Sequence, residues 1–223
     1  MANVNHHNRR IFKKSFLKSI QCILTFDKIE WTAELKEKTT ILLQNKNFVM
    51  KATGELPMVQ AQRNMTVVIL SDRGLMLTTD KMDYGGFEAF SNSHAEIMME
   101  LLKVADVNAI TTSIFQKINS YMVNKAKTKL ELTKDLVLST LFSPMLLDTK
   151  VPLGVMEDDC FYTSQYRYED KGDAIIIELI VSAMKPQEQP VDGVLKGLTV
   201  INERLYDFWY ESVNENVRKS MEE

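Results

Sequence analysis

Apolar positions along the chain follow two rhythms, one of period two and one of period three to four. From Ser15 to Phe26 the residues Phe16, Ile20, Cys22, Leu24 and Phe26 lie mostly two apart, which predicts a strand with one buried face. Trp31 to Gln44 is rich in Leu, Lys and Glu and puts Leu35, Thr39 and Leu42 on one side of a short helix. The β-branched Thr39-Thr40-Ile41 oppose that helix, because such side chains lose rotamer freedom in it. Strands are predicted at Met58–Arg63, Met65–Leu70 and Leu75–Thr79, with Ser71-Asp72-Arg73-Gly74 as the turn between the last two. Met65–Leu70 is mainly apolar on both faces, so it belongs inside a sheet. A long helix follows to Lys103, entered at Asp83 or Gly86, with Phe87, Phe90, His94, Ile97 and Leu101 as its stripe.

The second half repeats this order. Val107–Val123 alternates as a strand, and Asp135–Phe142 is an apolar helix or strand that ends at Pro144. Val151–Met156 and Cys160–Tyr168 flank the acidic turn Glu157-Asp158-Asp159, and Lys171-Gly172-Asp173 leads into the apolar strand Ala174–Met184. From Val191 to Met221, Val194, Leu198, Ile201, Leu205 and Phe208 form one seam of a last helix. Lys196, Glu203, Arg204, Asp207, Glu211 and Glu215 fall on its other side and are assigned to solvent.

Each half therefore reads β-α-βββ-α, over residues 15–104 and 105–223, behind an arm at residues 1–14 expected to be mobile. Meandering strands give an antiparallel sheet with one face left for helices. The expectation is a single α+β domain, with an antiparallel sheet from two such halves and long helices on one face. TBP-like and helix-grip folds share that layout, an analogy of shape alone.

Composition narrows function mostly by exclusion. The net charge of −3 does not favour a nucleic-acid partner, and no apolar run is long enough to span a membrane. The arm is basic (His6, His7, Arg9, Arg10, Lys13, Lys14) and lacks the apolar core of a secretion signal, so a cytoplasmic protein is expected. Cys22 and Cys160 have neither paired nor metal spacing and read as buried thiols. There is no phosphate loop, HExxH, GxSxG or Cys/His cluster, so neither a metal nor a cofactor is expected. His94 reads as a core histidine before a ligand. The lysines at 125, 127, 129 and 134 read as a solvated face, and Glu157-Asp158-Asp159 as a plain turn before a cation site. Glu178 stands in an apolar strand, where burial would raise its pKa unless a cation joined it, and Arg167 on the neighbouring strand is the expected partner. Tyr162, Tyr166, Tyr168, Trp209 and Tyr210 are the candidate interaction anchors, with packing at the sheet rim as their other reading.

Val67-Val68-Ile69-Leu70-Ser71-Asp72-Arg73-Gly74-Leu75-Met76-Leu77, the run Asp83–Phe90 and Ile114–Asn119 together resemble a sporadically distributed bacterial family without assigned activity. Ile175-Ile176-Ile177-Glu178 and Asn202–Val213 are similar to its closing strand and helix. Gln116-Lys117 stands where that family has Arg-Tyr, so no role passes to this chain at that point. The resemblance implies the fold and a bacterial origin, and its sporadic spread suggests a mobile-element or defence locus. The function expected is non-catalytic: an accessory protein that binds another protein or itself. A small apolar-ligand carrier, with its pocket between sheet and last helix, is the first alternative. A carboxylate hydrolase around Glu178 is the second.

Overall fold

The computed structural model describes residues 16–124, 153–170, 172, 174–186 and 189–222. The arm at 1–14, the lysines at 125–134 and the segment Asp135–Phe142 lie outside the described residues. The strands are β1 (Leu17–Thr25), β2 (Val49–Lys51), β3 (Met58–Arg63), β4 (Thr66–Ser71), β5 (Gly74–Asp80), β6 (Ala109–Ile110), β7 (Thr112–Asn124), β8 (Leu153–Glu157), β9 (Cys160–Asp170), β10 (Ala174–Lys185) and β11 (Gln189–Pro190). The helices are α1 (Ala33–Asn45), α2 (Lys81–Tyr84), α3 (Phe87–Ala89), a π-helical turn (Phe90–His94), α4 (Ala95–Val104), α5 (Val191–Ser212) and α6 (Glu215–Glu222). Nine strands form one antiparallel sheet in the order β2-β3-β4-β5-β1-β7-β10-β9-β8, and β11 pairs with β6. The protein is α+β, as the alternation predicts.

The chain divides into two units, an amino-terminal one (Ser19–Phe115 and Met184–Thr199) and a carboxy-terminal one (Met1–Lys18, Gln116–Ala183 and Val200–Glu223). In the amino-terminal unit the strand register explains the core. Cys22 pairs with Leu77, Leu77 with Val68, and Val68 with Ala61. Because side chains alternate across a strand, every second residue shares this face. Ile20, Leu24, Leu70, Leu75, Val59 and Phe115 are buried, while Gln21, Val67, Met76 and Gln60 between them are half-buried. Helices supply Leu35, Leu43, Phe90, Ile97, Met98, Leu101 and Leu102 to the same core.

Helix entry follows one of the two candidates, since Gly86 is the N-cap of α3, but a short helix of its own precedes it. Asp80, ahead of both candidates, caps α2 by accepting from Met82 N and Asp83 N. The Asp83 carboxylate instead accepts from Met65 N at 3.0 Å. Gly85 and Gly86, both at positive φ, separate α2 from α3, and the helix expected from Phe87 to Lys103 is present with the π turn inside it. Left-handed backbone ends a helix, and glycine adopts it without steric cost.

In the carboxy-terminal unit Tyr162, Ser164 and Tyr166 of β9 and Ile177, Leu179 and Val181 of β10 are buried. The residues of α5 that belong here, among them Ile201, Leu205 and Phe208, are buried as well, and the Phe208 ring stacks on Tyr162 at 5.0 Å between centroids. The helix expected to reach Met221 unbroken stops at Ser212. Arg218 donates to Tyr210 O and Val213 O, the carbonyls left open at its end, and Asn214 accepts from Asn216 N to start α6. The acidic turn is a two-residue hairpin, with Asp158 and Asp159 both at positive φ between the paired Glu157 and Cys160. Aspartate tolerates that conformation, which suits both residues to this turn. No helix among the described residues is long and apolar enough to cross a membrane.

Candidate functional site

Two clefts of the amino-terminal unit border α4. Ala95, Ile97, Met98, Leu101 and Leu102 turn inward, which leaves Glu96, Met99, Glu100, Lys103 and Val104 on the outside. α1 lies beside it with a narrow buried stripe of Leu35, Thr39 and Leu43, so Ile41 stays 49% exposed. Thr32 fixes the start of α1 by accepting from Leu35 N at 3.1 Å. Between the two helices runs a furrow of about 400 Å³ lined by Ile41, Leu42 and Val104, with Lys38, Lys46 and Glu100 at its edges. Lys46 donates to Glu100 at 2.9 Å across this rim, and the bond to Glu100 holds the ammonium pKa above its ordinary value.

On the opposite flank of α4 lies a larger cleft of about 640 Å³. Met99, Val107, Pro190, Val191 and Leu195 give it apolar walls, and Glu96, Glu100, Asp106 and Asp192 bring carboxylates to it, with Lys103 as the lining cation. Asp106 takes positive φ just past the end of α4, and Asp192 lies in the first turn of α5, where a negative charge suits the helix dipole.

Beneath these helices sits His94, 4% exposed. Its Nε2 lies 3.3 Å from Thr66 Oγ1 and its Nδ1 3.0 Å from Ser93 Oγ, while its ring stacks on Phe90. Burial holds its pKa below the usual value, and Arg63 acts in the same direction. This is the core histidine the stripe predicts. Cys22 is fully enclosed and its thiol is pushed up to about 12 by burial, so it stays protonated and unreactive at neutral pH.

The carboxy-terminal unit holds a buried polar cluster. Arg204, 8% exposed, donates from Nε (3.0 Å) and Nη2 (2.7 Å) to Glu157 Oε2 and from Nη1 to Asp207 Oδ2 at 3.0 Å. Burial works against the guanidinium charge, but the bonds to Glu157 and Asp207 outweigh it and raise the pKa. Nearby Lys117 donates to Asn202 Oδ1, and the Tyr166 hydroxyl donates to Ser212 O at 2.6 Å. The Ser164 and Ser212 hydroxyls lie 2.7 Å apart. Each group has its counter-group, the pattern of a structural network.

Several expected roles change. Tyr162, Tyr166 and Trp209 are 3%, 6% and 8% exposed and do not present themselves as surface anchors. The pleat turns Tyr162 and Tyr166 toward the helix, and Trp209 adjoins the seam residue Phe208. Tyr210 is half-buried, with the Arg218 guanidinium 4.2 Å over its ring. The Tyr168 side chain lies outside the described residues. Glu178 pairs with Lys18 Nζ at 2.6 Å, and Arg167 is exposed, so the expected Glu178–Arg167 pair is replaced by one with β1. Arg204 and Asp207, assigned to solvent, are buried because the β8–β9 hairpin brings Glu157 against that side of α5. Among the described residues no three His, Cys, Asp or Glu are grouped to hold a metal.

No protein-family model matches the chain, and no curated protein matches it either. That agrees with its resemblance to a sporadic family of unassigned activity. Among solved structures it is similar to an aspartate kinase from Clostridium acetobutylicum, with 11% identity and a TM-score of 0.26 over 86% of this chain and 33% of that one. It is also similar to the regulatory subunit of aspartate kinase from Thermus thermophilus, with 13% identity and a TM-score of 0.22 over 84% of this chain and 92% of that one. The chain thus spans about a third of the first enzyme's length, and overlaps this shallow carry no argument about its fold or its work.

Proposed function

We propose that the protein works without catalysis, by binding a protein partner through the outer surface of α4 and its neighbours. One observation supports the reading above the others: α4 is bordered on both flanks by open clefts with apolar walls, one beside Ile41 and one beside Met99. A helix that had only to cover a sheet would need one apolar side. Here the outer side keeps Met99 and Val104 next to unfilled volume, in the manner of a groove that receives another chain. Methionine is frequent at such surfaces because it adapts to the shape it meets.

The test is affinity capture from the native host, comparing the wild type with Ile41→Asp and Met99→Asp. A charge in each apolar wall is expected to remove the partner, or self-association, at an unchanged melting temperature. Identical sets of captured proteins and identical oligomeric state for all three would overturn the reading.

A further inference from the structure

We infer that the cleft beside Met99 receives the basic segment Arg9-Arg10-Ile11-Phe12-Lys13-Lys14 of a second copy of this chain. The inference rests on the interaction reading above and names the partner. It starts from the charges around the cleft. Glu96, Glu100, Asp106 and Asp192 line it, against Lys103 alone. Lys46 reaches Glu100 from the α1 side at 2.9 Å and comes within 4.0 Å of Glu96, while Asp106 and Asp192 have no ion pair among the described residues. Carboxylates set around apolar walls recognise a segment that carries cations around apolar side chains.

The chain itself contains such a segment. Residues 1–16 hold Arg9, Arg10, Lys13 and Lys14 and not one Asp or Glu, and the four cations bracket the apolar pair Ile11-Phe12. The whole chain has net charge −3, so without those four cations the remainder carries −7. The sequence thus concentrates positive charge at one end and a negative excess over the rest, which steers one copy's arm toward another copy's acidic surface. The walls of Met99, Val107, Val191 and Leu195 offer the apolar side of the match to Ile11 and Phe12. Exchange of an identical segment between two copies closes as a symmetric pair, so the expected product is a dimer.

Charge exchange on the full-length protein tests this. Sedimentation velocity follows the dimer dissociation constant in four chains: the wild type, an arm variant (Arg9→Glu, Arg10→Glu, Lys13→Glu, Lys14→Glu), a cleft variant (Glu96→Lys, Asp192→Lys) and the combination. Circular dichroism melting confirms that each is folded. The wild type is expected to dimerise, more weakly as salt rises. Either single set is expected to weaken the dimer by roughly tenfold or more, and the combination to restore it. Restoration cannot come from a general loss of stability. A wild type that stays monomeric at every concentration, or a combination no better than the single sets, overturns the inference. In that event Met99→Asp separates the causes: loss of a different captured protein leaves the interaction reading standing, and no loss removes both.

Discussion

The two units cover their strands with helices in different ways. Under the π turn and α4 the seam is mostly apolar: Phe90, Phe87 and Phe115 meet ring to ring at 5.5–5.9 Å, and His94 is inserted with Thr66 and Thr79 in a small uncharged group, with a partner for each ring nitrogen. Under the second half of α5 the seam is polar, with Arg204, Asp207, Asn202 and Ser212 all buried beside Phe208. A buried charge network resembles an active site at first sight. Here the Arg204 charge is answered by Glu157 and Asp207, while the clefts lie on the outside of the drier unit. Burial of polar groups and availability for function are therefore separate properties.

The contrast can be broken most forcefully by truncation. Phe90→Ala should cost about 3–5 kcal/mol, because a fully buried ring leaves a cavity that its neighbours cannot fill. Arg204→Ala should cost about 3–5 kcal/mol for another reason: it removes the buried guanidinium that Asp207 and Glu157 share. The second loss is curable and the first is not. Arg204→Met combined with Asp207→Leu should recover most of the stability, since Glu157 is exposed enough to turn to water. Urea unfolding midpoints read this out, and a double variant as unstable as Arg204→Ala would show that the pair stabilises the fold by more than mutual neutralisation.

A smaller effect sharpens the drier side. Burial holds the folded pKa of His94 below its ordinary 6.5, with Arg63 assisting and Asp83 opposing. The unfolded chain thus takes up the proton first as pH falls. The contribution of His94 to stability is present above about pH 6.5 and is lost as pH drops through that value toward the folded pKa. Melting temperature measured between about pH 7.5 and 5 should fall more steeply in the wild type than in His94→Gln. Parallel curves would mean that the imidazole titrates alike in both states.

Much of the fold is legible in the sequence because alternation is a local signal. Ile20, Cys22 and Leu24, and Leu75 and Leu77, mark their strands without knowledge of the neighbours, and β1, β3, β4 and β5 begin and end within two residues of the expectation. Helix interruptions are less legible. The run Tyr84–Lys103 keeps its apolar stripe through the π turn, so periodicity alone reads it as continuous. The polar seam was hidden for a related reason. A helical wheel gives Arg204 and Asp207 to solvent, and only the hairpin tip carrying Glu157, more than forty residues earlier in the chain, reverses that. Met99, Ile41 and Val104 had no signal at all, because a cleft exists only once α1, α4 and α5 stand beside one another.

The claim that function resides outside α4, with the aromatic seam of α5 serving structure, has one direct test. Met99→p-benzoylphenylalanine and, separately, Tyr210→p-benzoylphenylalanine are introduced into the full chain and irradiated in the native host. The account predicts cross-links to a polypeptide, a second copy included, from position 99 and none from position 210. Cross-links from position 210 with none from position 99 would contradict it.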